Sequence, residues 1–312
     1  MNDFGLKAIA ENISFSMTTI SRVVKDASDI GLATKRKVLN ELLSCGYLPL
    51  DVRKSLEARK GNRIGIIVDS MISPFFGMII ETFIKELRKD DIEVIVYPIG
   101  PGTMDAQAMN NLISGNVDGF VSFLLLDELA YLRSRLFRLP GVIFGRKQEL
   151  DGVSCIYMDD AQGGALAAEY LAKHSPYQKF MYVANDTIEC NERRYKGFAK
   201  RLNELGITDV KYLRDTEVKD NLEDYVKEGY KSIFAFDDAL ATQIYKASQE
   251  DIKVVGFNGT GKFYSNYLSF PSIDSDYNAM VLVAISVIKE NIKNQQYKPV
   301  KIKFETKLEE RL

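Results

Sequence analysis

The chain has 312 residues, 46% of them hydrophobic and 27% charged, and a net charge of −2. That exceeds one ordinary domain of roughly 100–200 residues, and the composition excludes a disordered, collagen-like or low-complexity protein. Three widely spaced cysteines (Cys45, Cys155 and Cys190), the lack of a CxxC pair and a single histidine, His174, argue against a disulfide framework, a zinc ribbon and a histidine-rich metal site. The sequence has no apolar run of about 18 residues and its first residues lack a signal-peptide pattern, so a cytoplasmic protein with no membrane partner is expected.

Charge is unevenly spread. Residues 1–60 carry a net +3 and the remainder −5, as suits a nucleic-acid-binding module joined to an acidic body. Leu6, Ile9, Ala10 and Ile13 recur at helical spacing and predict a short helix over 6–12. Ser16 is placed to cap a second helix over 18–24, which turns Ile20, Val23 and Val24 inward and Met17, Thr18, Ser21, Arg22 and Lys25 outward. Two short helices with a brief turn make a helix-turn-helix whose second member fits a major groove. A plain structural three-helix bundle with solvated charges accounts for the same periodicity. A third helix is predicted over 34–45, stopped by Gly46, and then a basic segment, LDVRKSLEARKGNR, too short and polar to hold a helix alone.

From Arg63 onward, apolar runs (IGIIV, IEVIVYP, GVIFG, FMYVA, SIFAF, VVGFN) alternate with helical patterns over 78–89, 105–114, 163–173, 191–205, 238–249 and 277–293. This predicts α/β architecture with two parallel sheets and about ten strands. Ligands of such sheets bind beyond the carboxyl ends of strands, here 69–76, 145–147, 158–160, 185–194, 237–238 and 258–260. Their Asp, Asn, Arg and Phe content suits a sugar-like ligand, with directional hydrogen bonds to hydroxyls and rings against C–H faces. The bland alternative is that the Asp and Asn cap helices and that Phe75 and Phe76 are core.

At this point the chain resembles the LacI/GalR family of bacterial transcription regulators. The stretch LKAIAENISFSMTTISRVVKDASDIGLATKRKVLNELLSCGYLP matches the family headpiece pattern L-x-x-I-A, S-x-x-T-x-SRV, T-x-x-x-V, GY-x-P without a gap. Arg53-Lys54-Ser55-Leu56 is similar to the hinge, Ser73-Pro74-Phe75-Phe76 to the first ligand loop, Asp118-Gly119 to the "DG" strand, Met158-Asp159-Asp160 with Gly163-Gly164 to the crossover helix, and RYKGF at 194–198 to the effector motif. Phe236–Asp238 and Val255–Asn258 correspond to the last two ligand loops.

The sequence departs from the family at several points. Ser14 stands where the turn usually has Gly, and Gly31 replaces a Ser cap. Asp237-Asp238 replaces "ND" and Gly256-Phe257-Asn258 replaces "GFD", and the segment 173–179 replaces a shorter turn, which assigns His174 to a loop.

The resemblance implies a helix-turn-helix headpiece over 1–48, a hinge over 49–61, and a core over 62–312 of two Rossmann-like, periplasmic-binding-protein-type subdomains linked by three crossovers. The subdomains would be 62–158 with 277–302, and 159–276 with 303–312. It implies a repressor that binds double-stranded operator DNA through Ser16, Met17, Thr18, Ser21, Arg22, Lys25, Arg53 and a minor-groove wedge at Leu56. It further implies a sugar or sugar derivative held between the subdomains by Ser73, Phe75, Met158, Arg194, Asp237, Asn258 and Tyr277, with Asp237 poising Arg194. A homodimer is expected, with no cofactor, no metal and no catalysis. The hinge should order only on DNA. A solute-binding protein fits the core but not the headpiece, and an enzyme finds no phosphate loop or triad in the sequence.

Overall fold

Helix α1, Met17–Val24, starts where the Ser16 hydroxyl accepts from the Thr19 amide at 3.1 Å, and it buries Ile20, Val23 and Val24 as its spacing predicts. The structure is a computed structural model that describes residues 14–150, 152–248, 251–260, 270–294 and 298–310; the helix predicted over 6–12 lies outside them. Helix α2, Leu32–Cys45, has no side-chain cap at Gly31, buries Val38, Leu39 and Leu42, and stops at Gly46, whose φ of 68° is left-handed. The hinge segment forms helix α3, Leu50–Ala58, in which Val52 is fully buried, so tertiary contact accompanies a helix that nine residues alone sustain poorly.

Beyond it run β1 (Arg63–Val68), α4 (Pro74–Arg88), β2 (Glu93–Pro98), α5 (Ala106–Ser114), β3 (Gly119–Ser122), α6 (Glu128–Leu136), β4 (Gly141–Phe144) and β5 (Ser154–Met158). Next come α7 (Asp160–His174), β6 (Lys179–Ala184), α8 (Cys190–Glu204), β7 (Val210–Arg214), α9 (Val218–Lys227), β8 (Tyr230–Ala235), α10 (Asp238–Ala247) and β9 (Lys253–Phe257). The chain closes with β10 (Ser272–Ser275), α11 (Tyr277–Asn294), β11 (Lys301–Phe304) and β12 (Thr306–Glu309). His174 is the last residue of α7 and not part of a loop; its Nδ1 lies 3.1 Å from the Tyr170 carbonyl oxygen one turn back.

Two six-stranded sheets result, ordered β11-β5-β4-β3-β1-β2 and β12-β10-β9-β8-β6-β7. β1 pairs in parallel with both β2 and β3, and β6 with both β7 and β8, so strand order reverses beside β1 and beside β6. Such reversals leave a crevice at the strand carboxyl ends. β12 pairs antiparallel with β10 and closes one edge.

The chain divides into two compact units: the described residues of Met1–Met71, Ile79–Ile156 and Val281–Lys301, and those of Ile72–Met78, Tyr157–Met280 and Ile302–Leu312. Headpiece helices α1 and α2 thus belong with the first sheet. Residues 72–78 and 277–280, expected with the first subdomain, fall in the second unit, where the Phe75 and Tyr277 rings meet edge to face at 5.3 Å. No helix of the described residues is long and apolar enough to cross a membrane.

Candidate functional site

The first unit presents a candidate DNA-reading surface. The three buried residues of α1 leave its opposite side open: Ser16, Met17, Thr18, Arg22 and Lys25 are exposed and Ser21 is half-buried. Met17 is 39% exposed, an apolar side chain left in water at the first turn of a helix. Arg22 is ion-paired with Asp29, and Lys25 lies 3.9 Å from Asp51. Arg53 is exposed on α3, whereas Leu56 is half-buried and lines a cavity.

What holds this surface was not legible in the sequence. Arg133 of α6 is buried, and its guanidinium donates to the Val23 and Val24 carbonyls at 3.3 and 3.0 Å. Those carbonyls end α1, so a cation from the body caps this helix at the negative end of its dipole. Burial pulls the Arg133 guanidinium below its ordinary range, and Asp26 counters that. Asp26, left-handed at φ 57°, accepts from Lys35 Nζ at 2.6 Å and from Asn110 Nδ2 at 2.8 Å, while Arg36 pairs with Glu128 at 2.8 Å.

The second unit carries the candidate effector site at the carboxyl ends of β6, β8 and β9. Arg194 is buried on α8; its Nε donates to Asp160 Oδ1 at 3.0 Å and its Nη1 to the Phe236 carbonyl at 2.6 Å. Its guanidinium carbon lies 3.5 Å from the Phe257 ring centroid and 4.5 Å from that of Phe236. Arg193 also reaches Asp160, with Nη2 to Oδ2 at 2.8 Å. Two glycines make this geometry possible. A Cβ on Gly164 would meet the Arg194 carbonyl oxygen at 2.1 Å, and one on Gly197 would meet that of Ala161 at 2.0 Å. Helices α7 and α8 therefore cross backbone to backbone, which carries Arg194 to Asp160.

The expected Arg194–Asp237 pairing is corrected. Asp237 caps α10, accepting from the Leu240 amide at 2.8 Å, so its carboxylate serves the helix end and not Arg194. Burial raises its pKa, against the Leu240 amide and Arg194, which lower it. Asp160, the actual partner, is fully buried; the available signal was an Asp just past a strand at the start of a helix. The neighbouring Asp238 holds the turn after β9, accepting from the Thr260 amide and from the Ser272 hydroxyl, the latter at 2.7 Å.

Asn258 takes φ 89° and donates its amide to the Ile273 carbonyl at 2.7 Å, a conformation that Asn tolerates better than most residues. Tyr277 is buried, and its hydroxyl has no hydrogen-bond partner. Burial pushes that hydroxyl's pKa well up, Asp274 adds to this, and Arg194 opposes it, so Tyr277 shares the electrostatic environment of the Arg194 cluster. Phe75 packs on Tyr277, Ser73 sits half-buried at the foot of α4, and Met158 is buried at the end of β5. Arg194, Asp237, Asn258 and Tyr277 lie beyond strand ends of one unit, with Phe75 packed on Tyr277, whereas among the described residues no hydrogen bond, ion pair or ring contact joins Met158 or the Ser73 side chain to the Arg194 cluster. No group of three or more His, Cys, Asp or Glu among the described residues could hold a metal ion.

Residues 61–293 match the family of periplasmic binding proteins and sugar binding domain of the LacI family. The sucrose operon repressor of Pediococcus pentosaceus is 22% identical, over 93% of this chain and 92% of that protein. Among solved structures, a LacI family transcriptional regulator from Enterococcus faecium with bound ribose has a TM-score of 0.71 at 17% identity, covering 80% of this chain and 98% of that one. The lac repressor dimer bound to operator and an anti-inducer has a TM-score of 0.68 at 20% identity, covering 98% of both chains.

Proposed function

This chain belongs to the family of periplasmic binding proteins and LacI-type sugar-binding domains, and from that premise we propose that it is a sequence-specific DNA-binding transcription regulator, a repressor controlled by a small sugar-like effector. The observation that carries this reading is the exposed face of α1, with Met17, Thr18, Arg22 and Lys25 held outward by a buried Ile20-Val23-Val24 stripe, in one chain with a strand-end site. Lys25 and Arg53 supply salt-dependent phosphate contacts. Arg22 addresses a guanine edge bidentately, and Met17 and Thr18 a thymine methyl. Leu56 wedges into the minor groove once it turns from the cavity it lines. The repressor acts in the cytoplasm as a homodimer, without catalysis or cofactor.

The unpartnered Tyr277 hydroxyl supports the effector reading, because a buried O–H without a partner costs about 1–3 kcal/mol that a ligand hydroxyl can relieve. The effector rests on the aromatic edge of Phe75 and Tyr277, with Asn258 and the Arg194 cluster beside it. Titration calorimetry of the full chain against a panel of pentoses, hexoses and disaccharides, followed by a gel shift on the DNA upstream of its own gene, tests the assignment. One sugar should bind saturably and change the DNA affinity. Tyr277→Phe should weaken that sugar about tenfold and leave the melting temperature of the free protein equal or higher. A chain that retards no DNA and binds no sugar defeats the reading.

A further inference from the structure

A cavity of about 560 Å³ lies in the first unit between the end of α3, α6 and the last turn of α11. Leu56, Pro140 and Ile292 give it an apolar wall, and Arg59, Arg135 and Arg138 a cationic one. Its acidic lining residue, Asp118, is committed elsewhere: its two oxygens accept from the Gly61 and Arg63 amides at 2.8 and 2.9 Å. Arg59 donates only Nη1 to a partner, the Arg138 carbonyl at 3.1 Å, while its Nε and Nη2 are buried and unpartnered. Burial lowers the Arg59 pKa, and the Asp118 charge opposes that. Nε and Nη2 form one edge of the guanidinium fork, the edge that takes two oxygens of an oxyanion side by side.

We propose that this cavity is a second ligand site, and that it takes a small phosphorylated solute whose phosphoryl oxygens accept from the Nε–Nη2 edge of Arg59. The volume falls within the roughly 300–1,000 Å³ of ordinary small-molecule pockets, larger than a bare phosphate ion needs. The apolar wall accommodates the rest of the molecule. Arg135 and Arg138 line the same cavity as Arg59, and a net positive lining favours the double charge of a phosphate monoester over a single carboxylate. Leu56 shares the wall, so the occupant would touch the hinge.

Titration calorimetry of the full chain with glycerol 3-phosphate and with inorganic phosphate, against chloride at matched ionic strength, provides the test. Saturable binding of glycerol 3-phosphate at one per chain is expected, with inorganic phosphate weaker. Arg59→Gln should reduce the affinity at least tenfold. The exposed Arg138→Glu, which leaves the buried guanidinium in place, should reduce it several-fold and keeps the test valid if Arg59→Gln fails to fold. Absence of saturable heat with both probes, or parental affinity in both variants, overturns the proposal. So does a result in which neither probe binds but Arg59→Gln lowers the salt slope of DNA binding by about one, because Arg59 would then be a DNA-phosphate contact.

Discussion

Arg22 carries an ion pair with Asp29 into any encounter with DNA, and both side chains are about half exposed. An exposed pair of this kind is worth about 0–1 kcal/mol, so a base edge can displace it readily. Arg22→Ala should cost roughly 1–3 kcal/mol on the cognate site and relax specificity at one position, with much less effect on unrelated DNA. Equal losses on both DNAs in fluorescence anisotropy would reduce Arg22 to a phosphate contact. Asp29→Asn should tighten binding by up to about fivefold, because it removes the competitor. Asp274, at the end of β10, behaves differently. Burial, with Glu309 adding to it, lifts its pKa to about 6 against the opposing Ser275 amide. A carboxyl raised on folding binds its proton more tightly in the folded state. Stability from this group is therefore greatest at low pH and falls as pH rises through the window from about 4 to about 6. Asp274→Asn keeps an acceptor for Ser275 and removes the buried charge. It should raise stability at pH 7 by about 1–2 kcal/mol, after allowance for partial exposure, and flatten that window in denaturant titrations. Equal or lower stability at pH 7 would show that the charge is well solvated.

At the scale of the element, the close crossing of α7 and α8 sets the effector site. The RYKGF motif owes its glycine to packing: a Cβ at Gly197 would fall 2.0 Å from a backbone oxygen that no rotamer change can move. Gly197→Ala should therefore part the helices, lower stability by about 1–3 kcal/mol and loosen Arg194 from Asp160. Thermal melts combined with sugar titration measure both effects, and a variant with parental stability and affinity would mean that the helices yield at no cost. The hinge makes the complementary case. Its own residues are too few and too polar to sustain a helix, yet burial of Val52 and the hydrogen bond from Arg59 to the Arg138 carbonyl hold it against the body.

At the scale of the whole molecule, Arg133 couples the reading helix to the first sheet unit. Arg133→Met fills similar space and removes both hydrogen bonds to the Val23 and Val24 carbonyls. Hydrogen exchange over residues 17–45 should quicken in this variant while the strands of both sheets keep their protection. Operator affinity should change with it, since α1 would no longer be held by the body. Unaltered exchange in the headpiece would show that α2 and Asp26 suffice to hold α1 in place.

The alternation of apolar runs with helical patterns was enough to place two sheets and most of their helices, and Ser16, Gly46 and the stripe of Ile20, Val23 and Val24 were readable as cap, stop and core, because each depends on contacts within a few residues. The polar edge strands β7 and β12 escaped that reading because their burial is partial and their apolar period weak, and α6 because Arg133 and Ser134 are among its buried residues and break the apolar pattern. The headpiece pattern and the R-x-x-GF motif marked which residues to examine, but not what they touch. That Arg194 pairs with Asp160 and not Asp237, that Asp237 is spent on a helix cap, and that Arg133 ends a helix about 110 positions earlier were decided only by the tertiary structure. The physical reason is the same in each case: a long cationic side chain chooses among acceptors by distance and burial, and those are set by how elements far apart in the chain come together.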